Sequence, residues 1–562
     1  MIYAYLEDVM KLTGAQIIVK TLIEQGTDVV FGYPGGQAIN IYDSLYENSD
    51  KIKHILTAHE QGASHAADGY ARASGKVGVC IATSGPGATN LVTGIATAHL
   101  DSTPMIAITG NVPNSLIGRD SFQEVDIFDI TLSITKHNYF VKDVSILADT
   151  IREAFQIAKS GRPGPVLIDV PKDVQMAVYE WDEMPCVERL PDESKCDFKA
   201  AVELINNAKR PFVYCGGGVV SSDSQEQVLK FAEKIDAPIG CSMMGLTAVE
   251  YNNKRALGMQ GMHGRYASSK TMDSADLIVA VGARFSDRAT GNKDKFSVGA
   301  SIIHIDVDNA EINKNITVSL GLNGNIGSII SVLTEQVEEK SLPEWEAEIE
   351  KLRNFEKENC TLKGNFNPYT IIDTVCDNVS SDTVVATDVG QHQMWVAQRY
   401  RFCKPRSFIT SGGLGTMGFG MGAAIGASVA TGCPAVLFTG DGSFGMNLNE
   451  VATAVSNNIP LTIIIMNNGV LGMVRQWQTL FFNKHYSNTT LNRKTDFVKL
   501  AEAFGAVGFS ASSRAELEQA LKTAKGSDRV VLIDCHIDSD EMVYPMLPPG
   551  GAIEDMILAC DK

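Results

Sequence analysis

The sequence predicts an α/β protein of three domains, each with a parallel sheet flanked by helices. Three observations predict it: the chain has 562 residues, short apolar runs alternate with helical patterns in three segments, and no short repeat period is present. We expect the domains at 10–185, 199–340 and 368–560. A link rich in Pro and charge, 185–198, follows the first domain, and a charged, helix-like connector, 338–367, precedes the third.

Each segment contains uninterrupted apolar runs of strand length, which are typical of the buried strands of parallel sheets. The strands predicted in the first segment are 28–32, 53–57, 77–83, 104–110 and 165–170. Those predicted in the second are 211–217, 276–282 and 301–307. Those predicted in the third are 382–388, 434–440, 461–468 and 529–537.

Composition excludes several classes of protein. Apolar residues make up 44% and charged residues 20% of the chain, which is ordinary globular usage and argues against wholesale disorder. The formal charge of −18 provides no basic face, so we expect neither nucleic acid nor a membrane as a partner. A phosphorylated ligand is still compatible, because backbone N–H groups and a metal can hold phosphate.

Cysteine usage and the N-terminus bear on location. The eleven cysteines are scattered without a CxxC pair, so a reducing cytoplasm is expected. The first residues lack the features of a signal or transit peptide, and either Met1 or Met10 could be the start. The uncharged stretch 407–440 is interpreted as a turn, a close-packed helix and a strand rather than a transmembrane span.

The most specific pattern is Gly440-Asp441-Gly442, followed after 24 residues by Asn467-Asn468. A predicted strand runs up to Asp441, a helix is expected at Asn447–Ser456, and the next strand ends at the Asn pair. Both polar groups therefore lie at the carboxyl ends of adjacent parallel strands, where open α/β sheets bind ligands. Carboxylate and amide oxygens suit Mg²⁺ that also binds phosphate. The alternative is a set of ordinary turn residues.

Gly442 and Ser443 lie near the predicted helix start, where free N–H groups favour an anion. With the Asn pair, this pattern resembles the thiamin-diphosphate motif of the pyruvate-decarboxylase-like enzymes. The resemblance implies that Asp441 and Asn468 bind Mg²⁺ through their side chains. It implies the backbone carbonyl of Val470 as a third ligand.

A second motif, HEQGA…ADGYAR within residues 59–72, resembles the pyrimidine side of the same family. It implies that Glu60 activates thiamin diphosphate through N1′ of its aminopyrimidine. Taken alone, Glu60 is also explained as an acid that stabilises the first turn of a helix. Glu60 and Asp441 belong to different predicted domains, and the resemblance implies that they meet across a subunit interface. A homodimer is then the smallest active unit, and a tetramer is left open.

Further stretches narrow the resemblance to the catalytic (large) subunits of acetohydroxyacid synthase over about residues 10–560. They include FGYPGG (31–36), TSGPGATN (83–90), GRDSFQE (118–124), GMQGMHG (258–264) and LGMVRQWQ (471–478). The implied reaction decarboxylates pyruvate on thiamin diphosphate and ligates the hydroxyethyl carbanion to a second 2-keto acid. Pyruvate gives 2-acetolactate and 2-oxobutyrate gives 2-aceto-2-hydroxybutyrate, the first common step of branched-chain amino-acid biosynthesis.

The resemblance also implies roles for individual residues. Arg288 binds the acceptor carboxylate, and an apolar wall surrounds the alkyl group of the acceptor. The wall and the substrate channel are formed by Trp477, Met473, Phe122, Gln123, Lys172 and Val474. The positions beside the cofactor are Gly36, Gln391, His392, Gly415 and Met417, of which Met417 supports its V shape. The alternatives are that the apolar members are core residues and that Arg288 and Lys172 form weak surface pairs.

The middle segment has glycine-rich strand ends at 215–219, 260–264 and 281–284, which can cradle phosphates. These stretches resemble the FAD domain of the biosynthetic synthases, although strand-end glycines also serve as simple turns. The positions implied for FAD are Arg162, Gly216, Gly217, Gly218, Met262, His263, Gly264, Gly282, Arg284 and Asp306. Gln37, Ser286 and Asn325 depart from the family pattern and put details of the pocket in doubt.

Two other functions stay open. A pyruvate oxidase would use the same cofactors with a real flavin redox step, and a catalytically silent subunit would bind cofactors without turnover. No domain for sensing amino acids is visible, so the resemblance implies a separate small regulatory subunit.

Overall fold

A computed structural model describes residues 10–184, 196–362, 364–525 and 527–559 of the chain. Met1 and most of the predicted link 185–198 lie outside the described residues. The described part contains three parallel six-stranded sheets and one short antiparallel ribbon, Met10–Thr13 with Val178–Trp181. Helices cover the sheets, so the predicted α/β class is confirmed.

The strands of each sheet are given in spatial order. The first sheet consists of Lys53–Leu56, Val29–Gly32, Gly78–Ala82, Met105–Asn111, Pro165–Pro171 and His137–Phe140. The second consists of Ala256–Met259, Ile239–Cys241, Pro211–Cys215, Leu277–Val281, Ser301–Asp306 and Leu320–Asn323. The third consists of Phe408–Ile409, Val385–Thr387, Ala435–Gly440, Leu461–Asn467, Val531–His536 and Val507–Ala511.

The helices follow the strands in the alternation that the sequence predicts. Around the first sheet lie Gly14–Glu24, Ile39–Glu47, Glu60–Ser74, Pro86–Asn90, Val92–Asp101, Ile127–Thr131, Leu147–Lys159 and Lys172–Met176. Around the second lie Phe198–Asn207, Gly217–Ser221, Gln225–Lys234, Tyr266–Asp273, Asp287–Thr290 and Ile326–Gln336, and the connector is Pro343–Asn359. Around the third lie Pro368–Asn378, Gln391–Arg399, Phe419–Thr431, Asp441–Asn447, Glu450–Ser456, Gly472–Phe481, Phe497–Ala503 and Arg514–Lys525.

Every predicted strand is confirmed, with ends that shift by a few residues. The predicted helix Asn447–Ser456 is wrong in its start, because a helix already begins at Asp441 and a second begins at Glu450. The strands that the sequence did not predict are short, and most lie at or near sheet edges, where the buried apolar run that marks a central strand is missing. The uncharged stretch 407–440 folds as a 13-residue helix between two strands. Within the described ranges, no helix has both the length and the apolar character needed to cross a membrane.

The first and third sheets are joined through two helices that pack backbone to backbone. Glu60–Ser74 crosses Phe419–Thr431 at small residues. A Cβ added at Gly69 would lie 2.2 Å from the carbonyl oxygen of Ala423, and one added at Gly426 would lie 1.9 Å from that of Ala66. No larger residue fits at these two positions, because its Cβ would clash with the facing backbone. The two glycines therefore permit the close approach of the helices. It fixes the helix that begins at Glu60 against the third domain of the same chain.

Candidate active site

The strand Ala435–Gly440 ends where the helix Asp441–Asn447 begins, and Gly440 occupies the position before its first turn. Asp441 is buried, and this burial raises the pKa of its carboxyl to about 6. The backbone N–H groups of Asp441 and Asn468 act in the opposite direction, as does the more distant Arg493. Asp441 therefore faces the end of the next strand, as the spacing predicts.

The two asparagines at the end of the strand Leu461–Asn467 point to different partners. The side-chain amide of Asn467 donates to Asp534 over 3.0 Å, away from Asp441. The Oδ1 of Asn468 accepts from the backbone N–H of Val470 over 3.1 Å. In the part of the chain that the structure describes, no group of three or more His, Cys, Asp or Glu could hold a metal. A site on Asp441, Asn468 and a backbone carbonyl needs only one carboxylate, which fits Mg²⁺ completed by phosphate and water.

The helix Gln391–Arg399 brings two predicted cofactor contacts to this place. The Nε2 of Gln391 donates to Gln476 over 3.0 Å, and its Oε1 lies 3.4 Å from the amide nitrogen of Asn468. The ring of His392 lies against Gly440, where an added Cβ would be 3.1 Å from Nδ1. Burial lowers the pKa of His392 to about 3, so its ring is neutral. Its buried Nε2 has no hydrogen-bond partner among the described residues, which fits a polar ligand here.

The segment 410–418 carries Gly415 and Met417 and runs beside the same helix start. The Oγ of Ser443 accepts from the N–H of Gly418 over 3.1 Å, and Asn447 donates to the carbonyl of Gly418 over 2.8 Å. Gly415 has a φ of +71°, a conformation that favours glycine. Met417 is half-buried. Gly442 and Ser443 are buried at the start of the helix Asp441–Asn447.

On the first domain, Glu60 is the first residue of the helix Glu60–Ser74, and His59 caps that helix. The side-chain amide of Asn90 donates to Oε2 of Glu60 over 2.9 Å. The Glu60 side chain is partly exposed, so its carboxylate can accept a second hydrogen bond. Glu60 is thus the first residue of a helix and also a carboxylate with a side-chain donor, so both interpretations made from the sequence stay open.

Four more predicted residues lie near the carboxyl edge of the first sheet. Lys172 donates to the carbonyl of Gly36 over 3.0 Å. Gln123 adopts a φ of +62°, and its backbone packs on Gly85, where an added Cβ would be 2.9 Å from the Gln123 carbonyl oxygen. Phe122 is 85% exposed, so it is not a core residue of the single chain.

Within one chain, the two halves of the candidate site touch through a different carboxylate. Glu450, fully buried at the start of the helix Glu450–Ser456, accepts from the N–H of Ala58 over 3.2 Å. Among the described residues, no hydrogen bond or ion pair joins Glu60 to Asp441 or Asn468.

A cavity of about 1330 Å³ lies where the three domains meet. It is lined by nine of the ten positions implied for FAD, which are Arg162, Gly216, Gly217, Gly218, Met262, His263, Gly282, Arg284 and Asp306. Gly264 does not line it. The buried Nδ1 of His263 lacks a hydrogen-bond partner in the described residues. A long, mostly apolar cavity with glycine strand ends and an arginine fits a dinucleotide.

One end of this cavity carries the predicted acceptor site. Arg288, Met473, Val474 and Trp477 line it together. The Arg288 guanidinium lies 5.8 Å from the Trp477 ring centroid, and its Nη1 lies 3.2 Å from the sulfur of Met262. Its ion pair with Asp287, at 3.7 Å and 60% exposed, is weak. The guanidinium is therefore available to a carboxylate at an apolar wall.

Arg162, which also lines the cavity, joins the first domain to the second. It donates to Ser102 over 2.7 Å and to Glu311 over 2.6 Å. Burial raises the pKa of Asp306 to about 6. Arg162 and Asp306 thus face the same end of the cavity, with opposite charges.

Two of the three departures from the family pattern, Asn325 and Ser286, have a local place in the structure. Asn325 caps the helix Ile326–Gln336 by accepting from Ser328 over 2.9 Å, a role that Asn fills as well as Asp. Ser286 precedes the helix Asp287–Thr290 and lines the cavity. The backbone of Gln37 is held by Thr83 and Gln175, and nothing in the structure explains its side chain.

Several residues of the site were not singled out from the sequence. Asn90 is the last residue of the motif TSGPGATN (83–90). Its place in that motif is the sequence signal that could have identified it. Gln476 lies within LGMVRQWQ but faces Gln391 rather than the cavity. Glu450 carries no sequence signal, because its contact with Ala58 depends on how two domains pack.

Comparisons with known proteins agree with this geometry. The family description "Thiamine pyrophosphate enzyme, N-terminal TPP binding domain" matches residues 12–130. The central domain of the same enzymes matches 198–333, and the C-terminal TPP binding domain matches 388–535.

Similar curated proteins span nearly the full chain. Acetolactate synthase isozyme 2 large subunit of Escherichia coli (strain K12) is 43% identical over 97% of this chain and 99% of its own length. The probable acetolactate synthase large subunit of Methanococcus aeolicus is 41% identical, covering 98% and 96%. Acetolactate synthase large subunit of Corynebacterium glutamicum is 42% identical, covering 97% and 90%. The chain belongs to the thiamine pyrophosphate enzymes, in the family of acetolactate synthase large subunits.

Proposed function

We propose that this acetolactate synthase joins two molecules of pyruvate to 2-acetolactate, and pyruvate with 2-oxobutyrate to 2-aceto-2-hydroxybutyrate, with release of CO₂. The observation that carries the proposal is the Arg288–Trp477 pair in the cavity wall. An acceptor keto acid needs a cation for its carboxylate and an apolar surface for its alkyl group, and this pair offers both.

Thiamin diphosphate fits the residues of the two half-sites. Asp441, Asn468 and the carbonyl of Val470 would hold it through Mg²⁺. The other residues that would contact it are Gly442, Ser443, Gln391, His392, Gly415, Met417, Gly36 and Glu60. The unpartnered Nε2 of His392 supports this assignment. When bound, the coenzyme supplies an acidic carbon that adds to keto groups and takes up the electron pair released with CO₂.

The chain's own contribution begins at Glu60. Its carboxylate exchanges a proton with the aminopyrimidine, and Asn90 keeps Oε2 oriented for that exchange. Arg288 binds the carboxylate of the acceptor. Trp477, Met473 and Val474 select its alkyl group and exclude water, which would otherwise quench the reactive carbon. Gln123, Lys172 and Phe122 line the channel from the first domain.

We assign FAD to the large cavity, held by Arg162, the glycine strand ends, Arg284 and Asp306. Ligation transfers no net electrons, so the flavin holds the three domains together rather than acting as a redox partner. Gly264, which does not line the cavity, packs on the backbone of Gln260, where an added Cβ would lie 2.6 Å from the carbonyl carbon.

Because Glu60 and Asp441 belong to different domains of the chain, we propose a homodimer in which each site combines Glu60 of one copy with Asp441 of the other. The relatives are named large subunits, and we propose a separate small regulatory subunit for this chain too. We also propose a cytoplasmic location, in keeping with the scattered cysteines.

The test is a pyruvate assay of the purified chain with thiamin diphosphate, Mg²⁺ and FAD, each omitted in turn. Acetolactate formed equally under nitrogen and air supports the proposal. Acetate formation that requires oxygen or a quinone would instead indicate a pyruvate oxidase. No CO₂ release with all cofactors present would indicate a silent binding subunit.

A further inference from the structure

A buried ion pair in the first domain holds the cofactor-contacting segment of the third domain. The side chain of Asp101 is 0% exposed. Its Oδ2 accepts from Arg72 over 3.0 Å and from the N–H of Gly412 over 3.0 Å. Its Oδ1 accepts from the N–H of Gly413 over 2.7 Å. All three hydrogen-bond partners of this carboxylate among the described residues are donors, and two of them are backbone groups of another domain.

The same segment has two further attachments to the first domain. Arg72 donates to the carbonyl of Thr410 over 2.8 Å. The hydroxyl of Thr97 lies 2.8 Å from the hydroxyl of Thr416. Two helices of the first domain, Glu60–Ser74 and Val92–Asp101, therefore hold the segment at residues 410, 412, 413 and 416.

This segment cannot hold its shape unaided. Residues 412, 413, 415 and 418 are glycines, and Gly415 and Gly418 have φ values of +71° and +85°. Glycine loses more conformational freedom on ordering than any other residue. A loop of this composition needs anchors outside itself, and Asp101 supplies the one that binds two consecutive amides.

The segment also touches each region assigned to a cofactor. Gly412, Gly413 and Gly415 line the large cavity, as does Asp101 itself. Gly418 is bonded to Ser443 at the start of the helix Asp441–Asn447. Arg72, the partner of Asp101, is on the helix whose first residue is Glu60.

We propose that Asp101, oriented by Arg72, is a positioning residue that holds segment 410–418 in the shape that binds thiamin diphosphate. The proposal rests on the proposed function in taking Gly415 and Met417 as coenzyme contacts. It also connects the two half-sites of one chain, because the helix of Glu60 and the segment of Met417 share one buried carboxylate.

The test variant is Asp101→Asn, which keeps the size of the side chain. An amide presents one oxygen and one NH₂ group, so at least one donor now faces a donor and loses its bond. We expect faster amide hydrogen exchange in residues 410–418 of the cofactor-free chain. We also expect the Kd of thiamin diphosphate, from fluorescence quenching with Mg²⁺, to rise at least about tenfold, equivalent to about 1.4 kcal/mol. Turnover at saturating coenzyme should change much less.

Glu356→Gln is the matched control. Glu356 is also buried, binds Arg265, and accepts from the N–H of Ala267 over 2.7 Å, but it lies away from segment 410–418. The Glu356→Gln substitution should leave amide hydrogen exchange in residues 410–418 and the Kd of thiamin diphosphate unchanged. Unchanged exchange and Kd in Asp101→Asn would overturn the proposal, as would equal losses in both variants, which would show general destabilisation.

If Asp101→Asn does not fold, Thr97→Val removes a milder attachment. It should raise exchange in 410–418 and the Kd in the same direction by a smaller factor, and wild-type values would contradict the proposal. A wild-type chain that makes no acetolactate would contradict the proposed function alone, because exchange in the cofactor-free chain still decides whether Asp101 holds the segment.

Discussion

The side-chain amide of Asn90 lies 2.9 Å from Oε2 of Glu60 and donates to it. Glu60 begins its helix, so its carboxylate is tied to a rigid element on one side and to Asn90 on the other. A carboxylate held in this way is prepared to exchange a proton at one fixed place. An acid that only stabilises a helix start does not need such a side-chain donor, so the role of Glu60 is the first point to test.

Replacing Glu60 by Gln keeps the bond to Asn90 but removes the basic oxygen. We expect acetolactate formation to fall about 10²–10⁴-fold, the usual contribution of general acid–base catalysis, with thiamin diphosphate still bound. Steady-state assays and a coenzyme titration separate the two effects. Activity within a fewfold of wild type would show that Glu60 serves only the helix.

Mixed dimers test the assignment of the half-sites to two copies. Glu60→Gln and Asp441→Ala chains should each be inactive as homodimers. A mixed dimer contains one site with both wild-type residues, so about half of the wild-type activity per dimer should return. Differently tagged chains, purified in tandem, provide the sample. No activity in verified mixed dimers would place both residues of a site in the same chain.

Activity should require magnesium, and the binding of magnesium should depend on one asparagine of the pair. Removing it with EDTA should abolish acetolactate formation, and adding Mg²⁺ should restore it. Asn468→Ala should raise the Mg²⁺ concentration for half-maximal activity at least about tenfold, the effect of losing about 1.4 kcal/mol of binding. Asn467→Ala is the control, because Asn467 bonds Asp534. An equal effect of both substitutions would contradict the assignment.

Trp477→Leu should lower the preference for 2-oxobutyrate over pyruvate by about 1–3 kcal/mol, or about 10–200-fold, as changes of shape in an apolar pocket do. The product ratio in competition between the two acceptors measures it. Phe481→Leu alters the residue whose ring packs edge-on against Trp477 at 5.7 Å between centroids without lining the cavity, and should change the ratio much less than Trp477→Leu. An unchanged ratio in Trp477→Leu would remove this residue from the acceptor site.

Asp169 allows a pH test of stability. It is buried among Thr109 and Asn111, and burial raises the pKa of its carboxyl to about 6. The folded state therefore holds the proton more tightly than the unfolded state, whose pKa is about 3.9. The resulting stabilisation is present at low pH and is lost as the pH rises through 6.

The thermal midpoint of wild type minus that of Asp169→Asn should accordingly decrease as the pH rises from 5 to 7. Above pH 7 this difference should stay constant. Scanning fluorimetry of both chains from pH 5 to pH 8 checks this. A difference that does not vary with pH would show that Asp169 has the same protonation in both states.

The central strands and the Asp441–Asn468 neighbourhood could be predicted from sequence, because long buried apolar runs mark parallel strands and the ends of such strands meet. The edge strands His137–Phe140 and Val507–Ala511 could not, because an edge needs no continuous apolar run. Asn90 and Asp101 could not be assigned to their partners either. The Asn90 bond depends on how two helices of the first domain pack, and the Asp101 bonds depend on how the first and third domains pack, which no local pattern encodes.

The glycine contacts between Glu60–Ser74 and Phe419–Thr431 leave no room for even a methyl group at Gly69 or Gly426. A single substitution at either glycine would therefore push the two helices, and the domains that carry them, away from each other. Any substitution that widened this junction would move the helix of Glu60 relative to segment 410–418, so both parts of the candidate site respond to a change at a single place.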